Sequence, residues 1–269
     1  MQLPRNAFKH AIAEGRLQIG LWSQLTTGLA AELLARSGFD WIVIDTEHAA
    51  TELPAVMHQL QALAASDTSA VVRVAWNDPV LIKRVLDVGA QTILIPFIET
   101  ADDARRAVAA TRYPPHGMRG VATCHRANQF GRIGDYLHVA AQEICVLVQI
   151  ETRTGLENAA AIAAVDGVDG VFVGPSDLSG SLGHLGNAHH PEVRAAIAAI
   201  HAAAEAAGKA SGTLTAVEED AHGFIEAGFT FVAVGSDVGL LANTSDALAR
   251  TFQAARLRQH ARLAGAAKA

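Results

Sequence analysis

Glu151 and Asp177 are the side chains of this sequence most suited to chemistry by type and spacing. Each carboxylate follows an apolar run, Cys145-Val-Leu-Val before Glu151 and Val171-Phe-Val before Asp177. If those runs are neighbouring strands of a barrel, both carboxylates reach its open end. There they can share one Mg²⁺ or Mn²⁺ and leave the remaining octahedral positions to water and substrate oxygens. Open coordination of that kind makes the ion a Lewis acid for a bound 2-oxo acid. Spacing alone leaves a second reading, in which Glu151 pairs with Arg153 and Asp177 caps a helix beginning at Leu178.

In a barrel of parallel strands, polar groups at the C-terminal strand ends face the catalytic mouth. That rule also selects Trp22, the turn Asp45-Thr-Glu-His48, Arg73, Gln149 and the turn Gly174-Pro-Ser176. Arg73 lies inside Val71-Val-Arg-Val-Ala, where a guanidinium is costly to bury unless a carboxylate meets it on two sides. It either clamps a substrate carboxylate or pairs structurally with Asp45 or Glu47. His48 beside Asp45 reads as an oriented acid/base dyad, a carboxylate on one ring nitrogen fixing the tautomer of the other. Most of the 12 histidines, among them His58, His138, His189, His190 and His201, fall on helices or surface loops and read as solvated.

The lysines argue by their positions. A Schiff-base mechanism needs a desolvated amine near the reacting carbonyl. Lys83 falls in a helix, Lys209 precedes a strand on the wrong face, and Lys9 and Lys268 are terminal. Covalent amine catalysis is therefore set aside. The sequence has no nucleophile elbow, P-loop or GxGxxG, which removes the hydrolase, kinase and nicotinamide readings.

These residues need a scaffold, and the apolar runs supply one. Eight of them, at 19–23, 41–45, 70–74, 92–96, 146–150, 170–174, 211–214 and 231–235, alternate with amphipathic segments at 28–37, 80–88, 101–111, 192–207 and 218–227. That is the pattern of βα units closing into a (β/α)8 TIM barrel, and 269 residues suit one such domain spanning 1–269. The interval 112–136 is long and rich in Pro, Gly and polar residues, and is expected to cover the mouth. A tail over 244–269 is expected to be an extra helix, Ala-rich enough to pack on a neighbouring subunit.

The formal charge of −6, without a Lys/Arg cluster, argues against nucleic acid and anionic membranes as partners. No apolar run reaches the ~18–20 residues of a membrane span, and residues 1–13 lack the apolar core of an export signal. Cys124 and Cys145 have no metal or redox spacing. A soluble, cytoplasmic protein acting on a small molecule is expected.

Four segments carry a resemblance to a family over nearly the whole chain. They are Gly38-Phe-Asp-Trp-Ile-Val-Ile-Asp-Thr-Glu-His48, Pro114-Pro-His-Gly-Met-Arg-Gly120, Val148-Gln-Ile-Glu-Thr152 and Gly167-Val-Asp-Gly-Val-Phe-Val-Gly-Pro-Ser-Asp-Leu178. Together they resemble the metal-dependent, pyruvate-specific class II aldolases, which include 4-hydroxy-2-oxoheptanedioate and 2-dehydro-3-deoxyglucarate aldolases. The resemblance implies a barrel of the phosphoenolpyruvate/pyruvate-binding type with one divalent ion per subunit on Glu151 and Asp177. That ion is Mg²⁺ or Mn²⁺, with Co²⁺, Ni²⁺ or Zn²⁺ as alternatives. Arg73, Gln149 and the backbone at Ser176 would hold pyruvate, His48 with Asp45 would be the acid/base pair, and Trp22 and Leu214 the apolar walls.

The same resemblance implies a homo-oligomer, a hexamer built as a trimer of dimers that exchange C-terminal helices. A neighbour would then complete each site, with Arg126 as the candidate contribution. His125-Arg-Ala-Asn128 and Ser181-Leu-Gly-His-Leu-Gly-Asn187 look closest to the glucarate-type enzyme. The expected reaction is retro-aldol cleavage of 2-dehydro-3-deoxyglucarate to pyruvate and a hydroxy-aldehyde, tartronate semialdehyde. A heptanedioate or deoxyrhamnonate substrate is the alternative, and a catalytically silent 2-oxo-acid binding protein the remote one. Thr46 stands where the family usually has Gly, and Ala50 where it has Pro, departures that bear on loop geometry and aldehyde preference.

Overall fold

Continuous Val/Ile/Leu runs become strands here because both of their faces are covered. Every residue of β2 (Trp41–Asp45) and β5 (Cys145–Ile150) is buried, as parallel strands between a barrel interior and a helical shell must be. The computed structural model describes residues 1–266. It adds β1 (Gln18–Ser23), β3 (Ser69–Arg73), β4 (Thr92–Ile95), β6 (Gly170–Val173), β7 (Ala210–Leu214) and β8 (Phe231–Ser236). The strands close into one parallel barrel in sequence order, with β1 paired to β8 at the seam. The fold is the TIM barrel, and each expected strand lies within one residue of its observed limits.

Strand alternation decides what faces inward. Trp41, Val43 and Asp45 share the inner face of β2, Val71 and Arg73 that of β3, and Cys145, Leu147 and Gln149 that of β5. Each series runs from apolar to polar along the chain, so the lower interior is dry hydrocarbon and the upper end is charged. Glu151 continues the inward phase of β5.

Before β1, the helix α1 (Ala7–Ala13) closes the floor. Its Phe8 ring lies 5.5 Å from Trp41 and 5.7 Å from Phe231, centroid to centroid. Gly20 admits the Trp41 indole, since a Cβ there would stand 2.2 Å from it. Asn6 caps α1 by accepting from the Lys9 N–H.

The outer ring begins with α2 (Gly28–Leu34), α3 (Leu53–Leu63), α4 (Pro79–Asp87) and α5 (Ala101–Thr111). After α5 comes the long interval, then α6 (Tyr136–Glu143), α7 (Arg153–Glu157) and α8 (Ala159–Ala163). The chain continues through α9 (Pro175–Ser181), α10 (Pro191–Ala206) and α11 (Glu218–Glu226) to α12 (Asp237–Ala266).

Two expectations need correction. The interval 112–135 does not cover the mouth; it lies at the opposite end of the barrel. Arg119 Nη2 donates to Asp87 Oδ1 at 2.7 Å, Arg126 Nη1 to the Val88 carbonyl at 2.7 Å, and the Met1 ammonium to the Arg132 carbonyl at 3.2 Å. The reason is chain direction: a segment that follows a helix and feeds a strand runs beneath the strands' N-terminal ends.

The final helix also begins earlier than expected, at Asp237 directly after β8 rather than at Thr244, and the last three residues of the expected tail lie outside the described residues. Asp237 stitches α12 to the end of β1, accepting from the Gln24 N–H at 2.8 Å, the Leu25 N–H at 3.1 Å and Ser23 Oγ at 3.1 Å. Beyond that anchor, Leu241, Leu248 and Phe252 are exposed. No helix among the described residues is long and apolar enough to cross a membrane.

Candidate active site

A cavity of about 480 Å³ opens at the C-terminal end of the barrel. Trp22, His48, Arg73 and Gln149 line it, as do Glu151, Ser176, Asp177 and Leu214. The strand-end rule thus gathers most of its residues in one place. Asp45 sits behind Arg73, and Arg126 is not brought to its own chain's cavity but lies at the barrel's other end.

Asp45 and Arg73 are register partners on β2 and β3, both pointing inward. Arg73 Nε donates to Asp45 Oδ1 at 2.9 Å and Nη2 to Oδ2 at 2.7 Å. Its Nη1 approaches Glu47 Oε2 at 2.8 Å, a charge contact without hydrogen-bond alignment. The structural pairing considered for Arg73 is therefore present, and it aims the guanidinium into the cavity. Trp22 lies 5.0 Å from that cation and donates from its ring N–H to Asp45 Oδ2 at 3.3 Å.

The expected His48–Asp45 dyad needs correction. Among the described residues, Asp45 meets His48 through the backbone N–H at 3.4 Å, and no bond joins it to the imidazole. The physical reason is that Asp45 is already occupied by Arg73, Trp22 and the turn. Burial pushes its carboxyl up, but Arg73 and the N–H groups of Glu47 and His48 outweigh this and hold it below the ordinary value. Asp45 thus shapes the turn that presents His48. Thr46 tightens the same turn, its hydroxyl donating to the Arg73 carbonyl at 2.7 Å.

The carboxylates beyond Arg73 are less balanced. Burial pushes Glu151 up to about 7; the Phe97 N–H and Gln149 oppose that rise, while Glu47 and Asp177 add repulsion. Burial likewise pushes Glu47 up to about 7, against the pull of Arg73 and with repulsion from Asp45 and Asp177. Arg73 thus meets two of four neighbouring carboxylates, Asp45 and Glu47, and among the described residues no cation pairs with the other two, Glu151 and Asp177. Buried beside them, Gln149 Oε1 has no partner among the described residues. A surplus of negative charge with a free amide oxygen fits a hard divalent cation, which prefers oxygen donors.

The competing readings of the carboxylate pair fail. Arg153 faces Glu192, at 3.5 Å, rather than Glu151. Helix α9 has Gly174 as its N-cap, so Asp177 sits inside the first turn instead of capping it. Glu151 is held by the Phe97 N–H on Oε1 at 2.8 Å and by Gln149 Nε2 on Oε2 at 2.5 Å. Phe97 adopts a left-handed backbone (φ 52°), rare for a bulky residue, which directs its N–H at Glu151. Gly174 completes the cradle, because a Cβ there would stand 2.5 Å from Glu151 Oε2.

Sequence reasoning underrated Glu47, which appeared only as a structural partner for Arg73, and missed Gln24, whose Nε2 donates to Asp45 Oδ2 at 3.3 Å. It also missed His189, Arg194 and Asp220 on the cavity's outer wall. Their place at helix starts after β6 and β7 was the available signal. A second group of metal-type side chains, His184, His190 and Glu192, gathers within 4.8 Å. Its two imidazoles stack at 3.4 Å, with His184 bonded to Glu192 and His190 capping α10, the arrangement of a loop clasp. Among the described residues, no lysine lines the cavity, and Lys209 Nζ is spent on the Val168 carbonyl at 2.8 Å.

The family model described as HpcH/HpaI aldolase/citrate lyase matches residues 18–244. A 5-keto-4-deoxy-D-glucarate aldolase of Klebsiella pneumoniae is 52% identical over 248 residues, covering 92% of this chain and 97% of that protein. A 4-hydroxy-2-oxo-heptane-1,7-dioate aldolase of Salmonella paratyphi A is 55% identical over 251 residues, covering 93% and 95%. Among solved structures, an HpcH/HpaI aldolase/citrate lyase family protein from Burkholderia cenocepacia superposes with a TM-score of 0.88 at 43% identity, covering 91% of this chain and 99% of that one.

Proposed function

The chain belongs to the HpcH/HpaI aldolase/citrate lyase family, and on that premise we propose that it is a divalent-metal-dependent pyruvate aldolase, a carbon–carbon lyase. Its reaction is the reversible cleavage of 2-dehydro-3-deoxyglucarate to pyruvate and tartronate semialdehyde. Numbered from its other end, that diacid has the same carbon skeleton and functional groups as the 5-keto-4-deoxy-D-glucarate in the name of the Klebsiella relative. The name of the Salmonella relative supports 4-hydroxy-2-oxoheptanedioate as the second reading. The observation that carries the proposal is the surplus of buried carboxylates beside Arg73 and Gln149 at the cavity's inner end.

Glu151 and Asp177 are the residues that would hold the ion, Mg²⁺ or Mn²⁺ by their oxygen chemistry. When bound, it supplies Lewis-acid stabilisation of the negative charge that develops on the 2-oxo group. Arg73, fixed by Asp45 and Glu47, faces the pyruvyl carboxylate, and Gln149 and the backbone at Ser176 orient the same half of the substrate. His48 takes the proton of the 4-hydroxyl as the C3–C4 bond breaks. The bonding pair remains with C3 as the pyruvate enolate, and the aldehyde departs past Trp22 and Leu214. In the direction of synthesis His48 returns that proton. Preorganised charge at the point of enolate formation is the dominant catalytic term in such a site.

We further assign a hexameric assembly, a trimer of dimers exchanging α12, with Arg126 reaching a neighbour's site. The apolar residues that α12 exposes support this reading. The unpaired Cys124 and Cys145 support a reducing, cytoplasmic setting.

The test is metal removal. After dialysis against EDTA, pyruvate release is expected to stop and to return with Mg²⁺ or Mn²⁺. Full activity in protein shown to be metal-free would overturn the proposal. A panel of hydroxy-oxo acids compared by kcat/KM decides the substrate.

A further inference from the structure

The cavity changes character along its length. Its inner end holds the carboxylates and Arg73. Apolar Leu214, Ile197 and Phe224 line the cavity as well, and the exposed side chains of His189 and Arg194, with Asp220, stand at its outer lip at the starts of α10 and α11. Arg194 Nη2 donates to Asp220 Oδ1 at 2.7 Å, and His189 Nδ1 stands 3.5 Å from Asp220 Oδ2. The Asp220 side chain is 12% exposed, whereas those of Arg194 and His189 are each 60% exposed. Asp220 is therefore the fixed brace, and the two nitrogen-bearing side chains lean on it. A guanidinium has five N–H donors, and among the described residues Asp220 takes one of Arg194's.

A substrate whose pyruvyl carbons occupy the inner end must run its aldehyde-derived carbons outward along the apolar wall. We infer that Arg194, braced by Asp220 and joined by His189, receives the terminal carboxylate of the aldehyde half, so that the enzyme selects aldehyde acids over neutral aldehydes. The inference rests on the pyruvate-aldolase reading and places specificity at the lip formed by α10 and α11, away from the group that breaks the bond. A carboxylate suits a guanidinium fork better than any neutral group does. Asp220 keeps the fork aimed and lowers the entropic cost of ordering a long exposed side chain. Both substrates proposed above carry such a terminal carboxylate.

Arg194→Gln tests this. For addition of pyruvate to tartronate semialdehyde or succinate semialdehyde, kcat/KM is expected to fall by about tenfold or more, the loss of one hydrogen bond to a charged group. For glycolaldehyde and propanal it is expected to stay unchanged, and Arg194→Lys should recover part of the loss for the acids. Exchange of the pyruvate methyl protons for deuterium, which reports enolate formation alone, should be the same in Arg194→Gln as in the unaltered protein. Equal losses for acidic and neutral aldehydes, or no loss for either acid while exchange persists, would overturn the inference. Absence of exchange in the unaltered, metal-loaded protein would instead remove the aldolase reading beneath it. Comparing the two acids shows whether the short hydroxylated aldehyde or the longer one with methylenes reaches the lip.

Discussion

Replacing Gly174 with alanine separates the position of Glu151 from its chemistry. The new Cβ would stand 2.5 Å from Glu151 Oε2, while the backbone at φ −93° accepts any residue. Activity is expected to fall by about 100-fold, the scale of a small misplacement of a catalytic group, with little change in melting temperature. Kinetics and thermal unfolding on one preparation check this, and full activity would remove the cradle argument. Glu151→Gln keeps the shape and removes the charge; titration calorimetry with Mn²⁺ should show weakened binding. At this scale the sequence was legible where strand phase decides direction, as for Arg73, Gln149 and Glu151. It misled where several partners compete for one group. Nothing in the order Asp45-Thr-Glu-His48 says that Arg73 claims Asp45, and Glu47 gains its importance from neighbours distant in the chain.

Helix α1 has a function out of proportion to its length. Phe8 is fully buried against Trp41 and Phe231, so Phe8→Ala should cost about 3–5 kcal/mol, measured by urea unfolding. The helix is moored to α6: the Asn6 N–H donates to Glu143 Oε2 at 2.7 Å, and His10 lies 3.1 Å from the same oxygen. Burial raises the Glu143 carboxyl, but Asn6, His10 and Lys9 outweigh it and hold it below its ordinary value of 4.5. A lowered folded-state value means that the stabilisation is complete above 4.5 and is lost as pH falls through the folded-state value. Glu143→Gln should therefore destabilise the protein at neutral pH and match the unaltered protein in strong acid; a difference independent of pH would contradict the assignment. The strands could be read because burial on both faces leaves an unbroken apolar signature. The seven residues of α1 are too few to show a period, and the interval 112–135 was misplaced because length suggested a lid while its position after a helix dictated the floor.

For the whole molecule, the exposed side of α12 is the feature that a lone subunit leaves unexplained. Leu241, Leu248 and Phe252 recur at helical spacing and are each more than half exposed. Leu248→Glu with Phe252→Glu is expected to yield a smaller assembly by light scattering, with a barrel still folded by circular dichroism. An unchanged mass would contradict the exchanged-helix hexamer. Architecture and family were legible in the sequence because the eight strands and the strand-end residues are local patterns, whereas which side of the last helix stays uncovered shows only once the chain is folded. The seam between β1 and β8 carries a last consequence, for synthesis. Gln18 pairs with Phe231 there, and Phe8 finds its floor only when Phe231 arrives. A ribosome must therefore deliver nearly the entire polypeptide before the first strand has both neighbours. Nascent chains stalled short of β8 should remain open to protease and bound by chaperones, and protection should appear abruptly once that strand leaves the exit tunnel.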